Sequence, residues 1–214
     1  MNKNILIVLF LVLFSSCTKD VTSEVDVYSN DFEQGDLKGI SNGTLTTYNN
    51  SKVMGQYNNA GFNLALTDLP KHDLVEVTFD LYIHDSWDGN QNNDNENIDG
   101  PDIWKLVVDG KEYINTTFSN NTCGAGMRCS PQSYPNDYPN FNNNPKTGAF
   151  KINLPSVCHN IGGTTLYRIK KNFSHSKSSL LMQFMDKLMQ TNSDDPLCDE
   201  SWSVDNINVK VISL

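Results

Sequence analysis

Eighteen residues from Asp85 to Asp102 hold the densest oxygen chemistry in the chain: Asp-Ser-Trp-Asp-Gly-Asn-Gln-Asn-Asn-Asp-Asn-Glu-Asn-Ile-Asp-Gly-Pro-Asp. Asp88, Asn90 and Asn92 carry side-chain oxygens at alternate positions, the spacing of a loop that wraps a hard cation, and Asp94 and Glu96 extend the series. The glycine and closing glutamate of an EF-hand are missing, so a solvated Asn-rich loop is the competing reading. A second long loop, Ser119 to Thr147, carries aromatic groups instead: Tyr134, Tyr138 and Phe141 among prolines and asparagines. Loops this long inside a compact domain are functional or disordered.

Four cysteines lie beyond residue 100: Cys123, Cys129, Cys158 and Cys198. An even set in an exported chain reads as two disulfides with three possible connectivities. Cys123–Cys129 would close a small Gly-containing ring, and Cys158–Cys198 follows by elimination. A tetrahedral zinc site needs tighter paired spacings than these. The four histidines, His72, His84, His159 and His175, are scattered. No Gly-x-Ser-x-Gly elbow, His-Glu-x-x-His helix or phosphate loop is present. Of the aromatics, Trp104 and Trp202 open apolar strands and belong to core or rim. Trp87 sits between two aspartates in a loop and is expected to be exposed.

The elements that must position these groups are strands. Val75, Val77, Phe79, Leu81 and Ile83 alternate with Glu76, Thr78, Asp80 and Tyr82, which describes one strand with a buried and a solvated face. Further strands are expected at Tyr28–Glu33, Thr44–Tyr48, Gly61–Thr67, Ile103–Val108, Glu112–Phe118, Ala149–Leu154, Leu166–Phe173, Ser179–Phe184 and Ser203–Ile212. Asp109-Gly110 between two apolar runs signals a two-residue hairpin. Asp186–Gln190 is open to a helical turn, and no long segment has helical spacing. Asn, Asp, Ser and Thr are abundant and Ala and Glu scarce, which favours strands and polar turns. The expected fold is all-β: an antiparallel β-sandwich of jelly-roll type with about ten strands in one domain.

The first residues concern address rather than chemistry. A weakly positive start and the apolar run Ile5–Phe14 form a secretory signal too short to span a bilayer. Phe14-Ser15-Ser16-Cys17 resembles the lipobox of bacterial lipoproteins, with Phe14 where that family prefers leucine. The resemblance implies cleavage after residue 16, lipidation of Cys17, and attachment to the bacterial cell envelope at the outer membrane or cell surface. Several acyl chains give stable anchoring, at roughly 0.8 kcal/mol per buried CH₂. Residues 17–27 are then expected to be the lipidated cysteine and a polar tether, and residues 28–214 the domain. Net charge is −9 with a pI near 4.7 and no Lys/Arg cluster. That excludes the basic footprint of a nucleic-acid binder, so contact with membrane is expected through the lipid alone.

One ordered series of motifs runs through the domain: Val77-Thr-Phe-Asp-Leu-Tyr-Ile, Asp85-Ser-Trp-Asp-Gly-Asn, Gly100-Pro-Asp-Ile-Trp, Val108-Asp-Gly, Asn115-Thr-Thr-Phe-Ser-Asn, Gln132-Ser-Tyr-Pro, Gly148-Ala and Asp199-Glu-Ser-Trp-Ser-Val-Asp-Asn-Ile-Asn-Val. It resembles a domain of bacterial secreted and surface proteins. Asn30-Asp-Phe-Glu and Val204-Asp-Asn-Ile are similar to the two ends of MAM-type and carbohydrate-binding jelly rolls. The resemblance implies a concanavalin-like or galactose-binding-like sandwich that binds extracellular glycan or protein ligands without catalysis. It also implies a structural Ca²⁺ where the first and last strands meet, near Asp31, Glu33 and Asp205. A phase slip between Val204 and Ile207 supports a bulge there, a feature that re-aims a side chain. Asp85, Asp88 and Asp102 match the motif and form the second metal candidate. Trp87, Tyr134 and Tyr138 are the ligand-binding candidates. The competing classes are an adhesive module without a small ligand and a concanavalin-like glycosidase. Glu76 and Asp80 face the same way, but four residues apart on a strand they lie well beyond the roughly 5–5.5 Å of a retaining pair.

Overall fold

The computed structural model describes residues 20–91, 100–126, 129–158, 162–188 and 193–214. Cys17 and the leader, Asn92, Asp94, Glu96 and His159 lie outside them. The strands are β1 (Ser23–Asn30), β2 (Ile40–Ser41), β3 (Leu45–Tyr48), β4 (Ser51–Tyr57), β5 (Gly61–Leu66), β6 (Leu74–Asp85), β7 (Ile103–Val108), β8 (Lys111–Thr117), β9 (Lys151–Leu154), β10 (Thr164–Ser174), β11 (Leu180–Lys187) and β12 (Glu200–Ser213), with one helical turn, α1 (Pro196–Asp199). A seven-stranded antiparallel sheet runs β3-β4-β12-β6-β10-β9, with β1 also paired to β12. The second sheet runs β2-β5-β11-β7-β8.

Take β4, β5, β6, β7, β8, β10, β11 and β12 as eight successive strands. One sheet then reads first, eighth, third, sixth, and the other second, seventh, fourth, fifth. This is the strand order of a jelly roll. The described residues hold twelve strands where about ten are expected.

Alternation sets the two faces. Val75, Val77, Phe79, Leu81 and Ile83 of β6 are buried, as are Trp202, Val204, Ile207, Val209 and Val211 of β12. Between the sheets Trp202 packs on Tyr57, Phe62 and Trp104, with ring centroids 4.9, 6.3 and 5.8 Å away. The phase slip in β12 is real: its register against β6 shifts between Asp205 and Asn208, and Asn206 has φ 53°. The Asp109-Gly110 turn is also as expected, with φ 49° and 81°, both in the left-handed region of a type I′ hairpin.

Three expectations change. Residues 23–27, expected as tether, belong to the sandwich, because Ser23–Asn30 pairs with Asn208–Ser213 and Ile207 of β12. This edge strand is mostly polar and exposed, held in part by Lys210 Nζ to Glu24 Oε2 at 2.8 Å. β4 was not foreseen: Val53, Met54 and Gly55 are buried in succession, which breaks the alternation. The one helical turn falls at Pro196–Asp199, whereas Asp186 and Lys187 belong to β11. The cysteines pair as Cys123–Cys129 and Cys158–Cys198, bonds that persist in oxidising compartments outside the cytosol.

Candidate functional site

The outer face of the seven-stranded sheet carries a continuous row of polar and aromatic side chains. Its parts are supplied by β10, β6 and β12 and by Phe150 at the mouth of β9. Phe150 donates its N–H to Leu166 O at 2.8 Å, which fixes the segment beside β10, and its ring stands 55 % exposed. The Arg168 guanidinium lies over that ring, 3.6 Å from the centroid, a cation–π arrangement that leaves the opposite ring face open. Arg168 Nε is 3.4 Å from Asp80 Oδ1, its register partner on β6. Asp80 Oδ2 accepts from Asn206 Nδ2 at 3.1 Å, an amide aimed outward by the β12 bulge. Thr78, Asp80, Arg168, Lys170 and Asn206 line a shallow cleft of about 500 Å³.

Tyr82 stands next along β6 on the same face and packs edge-on to Tyr48 at 5.4 Å. Burial, and then the charges of Asp205 and Asp80, push its hydroxyl up to about 12, so it stays protonated and able to donate. Beneath them His84 is fully buried between Thr164 Oγ1 (2.9 Å) and Ser203 Oγ (2.7 Å). Burial pushes it down to about 3, so it is a neutral strut.

The row continues into the corner where the first and last strands meet. Glu33 Oε1 accepts from Ser51 Oγ at 2.5 Å and from Lys52 N at 2.9 Å. Ser51 Oγ also reaches Asp205 Oδ2 at 3.3 Å. Glu33 and Asp205 are thus joined through one hydroxyl. Asp31 is turned into its own loop, where Oδ1 accepts from Glu33 N at 3.2 Å. Burial raises Asp205 to about 6, with Asp80 and Glu33 adding repulsion.

The second acidic set is distributed otherwise. Asp102 Oδ2 accepts from the backbone N–H groups of Asp88 and Gly89, so it closes the turn after Trp87. Asp85 points away, its carboxylate receiving Val157 N at 3.3 Å and Cys158 N at 3.4 Å. Asp88 Oδ1 accepts from Asn121 Nδ2. Asp102 is fully buried, and burial holds its carboxyl well above the usual range, opposed by the Asp88 and Gly89 amides and a hydrogen bond to Glu200. Among the described residues no three His, Cys, Asp or Glu side chains form a metal-holding group.

Trp87 is corrected. It is 0 % exposed, with Nε1 donating to Ser201 O at 2.9 Å. The aspartates around it are occupied, Asp85 by backbone amides and Asp88 by the Asn121 side-chain amide, and the ring turns inward with no face left for a ligand. Tyr134 is half-buried against Phe118 and Tyr167, at 4.9 and 5.1 Å, beside a small cleft with Pro135 and Asn136. Tyr138 is partly exposed, and its N–H reaches Asn115 O at 2.8 Å. Phe150, Tyr82, Arg168 and Asp80 were missed as a group. The signal lay in the polar half of the β6 alternation, which sequence reasoning assigned simply to water.

No protein-family model matches the chain, and no curated protein does. Among solved structures it is similar to a native family 35 carbohydrate binding module from Clostridium thermocellum. Identity is 12 %, coverage 88 % of this chain and 98 % of that one, and the TM-score 0.36. It is also similar to the CBM22-2 xylan-binding domain of Paenibacillus barcinonensis Xyn10C. There identity is 13 %, coverage 86 % and 99 %, and the TM-score 0.37.

Proposed function

We propose that this chain is a non-catalytic glycan-binding module, held on the bacterial cell envelope through lipidated Cys17, that binds extracellular polysaccharide along the outer face of the seven-stranded sheet. The observation that carries this is the row Phe150–Arg168–Asp80–Asn206 with Tyr82 beside it. An exposed ring offers a stacking surface to the apolar face of a sugar. The guanidinium, carboxylate, amide and phenol offer donors and acceptors to its hydroxyls. From β9 to β12 the row spans three strand spacings, roughly 14 Å, room for more than one linked ring. The donors are held by cross-strand bonds on a rigid sheet, so little side-chain freedom is lost on binding.

The test is isothermal calorimetry of the soluble domain against a panel of plant and bacterial polysaccharides. Phe150→Ala and Arg168→Ala are each expected to weaken binding at least about tenfold, or roughly 1.4 kcal/mol. Both side chains are exposed, so their melting temperatures should match wild type. No binding to any polysaccharide, or full binding by both variants, rejects the reading.

The corner of Glu33, Ser51 and Asp205, with Asp31 in the adjoining turn, is proposed to hold Ca²⁺. The support is the chemistry of the donor set: two carboxylates and a hydroxyl, with Asp80 adding further negative charge nearby. A bound cation would relieve that repulsion and clamp β1 and β4 to β12. At a hundredfold excess over its dissociation constant, Ca²⁺ is expected to stabilise the fold by about 2.7 kcal/mol. In scanning calorimetry the gain should vanish in Glu33→Gln and Asp205→Asn. A melting temperature indifferent to Ca²⁺ and chelator would remove the ion from the account.

A further inference from the structure

At the end of the sandwich remote from α1, three chain reversals meet over a pair of histidines. His72, in the turn between β5 and β6, is 2 % exposed. Its Nδ1 lies 2.6 Å from Pro70 O. A carbonyl oxygen only accepts, so Nδ1 carries the hydrogen and Nε2 of the neutral ring is a lone pair. That lone pair faces His175 Nδ1 at 2.7 Å, so His175 donates there. The ring planes differ by 14°, with centroids 5.0 Å apart, so the two rings lie nearly coplanar along their bond. The one ring nitrogen left over, His175 Nε2, is buried without a hydrogen-bond partner and lies 3.5 Å from Asp109 Oδ2.

Proton counting follows from this geometry. The neutral pair has one vacancy compatible with its inter-ring bond, His175 Nε2, where a proton would face Asp109. A second proton can go only onto His72 Nε2, the acceptor of that bond. Two N–H groups would then stand head to head between two like charges. The inter-ring bond therefore survives one added proton and not two.

Other bonds tie the same end together around the pair. Beside it Leu69 N donates to Ser178 O and His175 N to Asp73 O, tying the β5–β6 and β10–β11 turns together. Asp109 joins the β7–β8 turn to them, accepting from Leu181 N through Oδ1 and from Lys177 Nζ through Oδ2. The other charged groups here face elsewhere: the Asp73 carboxylate receives Leu214 N, and Lys111 Nζ lies over the Tyr113 ring.

We propose that His72, His175 and Asp109 form an acid-operated latch, which closes this end of the sandwich near neutral pH and releases the three turns when both histidines are charged. Burial, and then the neighbouring His72, hold His175 below the ordinary imidazole value, and the pull of Asp109 offsets this only in part. The sign is therefore fixed. The latch is intact above about pH 6.5, the ordinary imidazole value, and keeps its inter-ring bond when His175 takes the first proton; it is lost as pH falls further and the second proton enters the pair. The inference is independent of what the sheet face binds.

Amide hydrogen exchange, corrected for intrinsic rate, tests it at pH about 7.5 and about 5, on either side of the imidazole range. In wild type, protection of residues 69–73, 109–110 and 174–181 is expected to fall at least about tenfold on acidification, while the centres of β6 and β12 hold. His72→Asn offers an amide oxygen to His175 Nδ1 but cannot take the second proton, so its protection should change much less. Equal protection at both pH values in wild type overturns the latch, and so does an undiminished fall in His72→Asn. Ring ¹⁵N shifts of the wild-type protein at pH about 7.5 give a second readout that needs no variant. Both neutral rings are expected to carry the hydrogen on Nδ1, and a His72 ring protonated at Nε2 instead overturns the inter-ring bond.

Discussion

Trp202→Ala is expected to cost about 3–5 kcal/mol of folding stability, a large share of the 5–15 kcal/mol that holds a typical domain together. Trp202 is fully buried where the two sheets face each other, against Tyr57 and Phe62 from β4 and β5 and Trp104 from β7. Removing the indole leaves a cavity among rings that cannot collapse without moving the sheets together. It also removes the donor that reaches Asp186 Oδ2 at 2.6 Å. Trp202→Phe largely separates the two losses, since most of the ring volume is kept while the N–H goes with the five-membered ring. That variant should lose about 1–3 kcal/mol, the cost of leaving a buried acceptor unsatisfied. Urea midpoints at constant slope measure both. If the alanine variant lost less than about 1 kcal/mol, Trp202 would not be the pin between the sheets.

The strand frame was legible because its signals are local. The period-two run from Val75 to Ile83, the Asp109-Gly110 turn and the slip between Val204 and Ile207 each lie within a dozen residues, and each corresponds to an observed element. What failed was reading exposure from neighbours in sequence. Trp87 stands between aspartates, yet the carboxylate of Asp102, fourteen residues on from Asp88, folds over the turn and removes the need for water there. β4 is hidden because Gly55 lets β12 approach: a Cβ there would stand 2.6 Å from Ser203 Cβ, so three successive positions are buried. The candidate site was illegible for another reason. Phe150, Arg168, Asp80 and Asn206 are neighbours only through the bond of Phe150 to Leu166 and the registers of β10 with β6 and β6 with β12. No spacing along the chain predicts those registers, whereas the Glu33–Asp205 corner could be anticipated from the two ends of the fold.

Stability should fall as pH rises from about 4 to about 7, through Asp186 acting against the histidine latch. Burial raises Asp186 to about 7, although Trp202 Nε1 and Ala60 N hydrogen-bond to it. The unfolded chain ionises this carboxyl near pH 3.9, but the folded protein keeps it protonated to about pH 7. Its stabilising contribution is therefore complete below the lower value, declines between the two, and is gone above the higher. A difference of about three pH units corresponds to something on the order of 4 kcal/mol. The latch contributes with the opposite sign below about pH 6.5, so the wild-type curve alone cannot assign the slope. Asp186→Asn can, because it stays neutral throughout and leaves the histidines untouched. Losing one of the two acceptor oxygens should make the variant less stable than wild type at pH about 4, with the deficit shrinking or reversing by pH about 8. Denaturation curves for the two proteins across that range decide the matter. If they run parallel, Asp186 is ionised in the fold, and the Trp202 bond is charge-assisted and stronger than the neutral bond inferred from its burial.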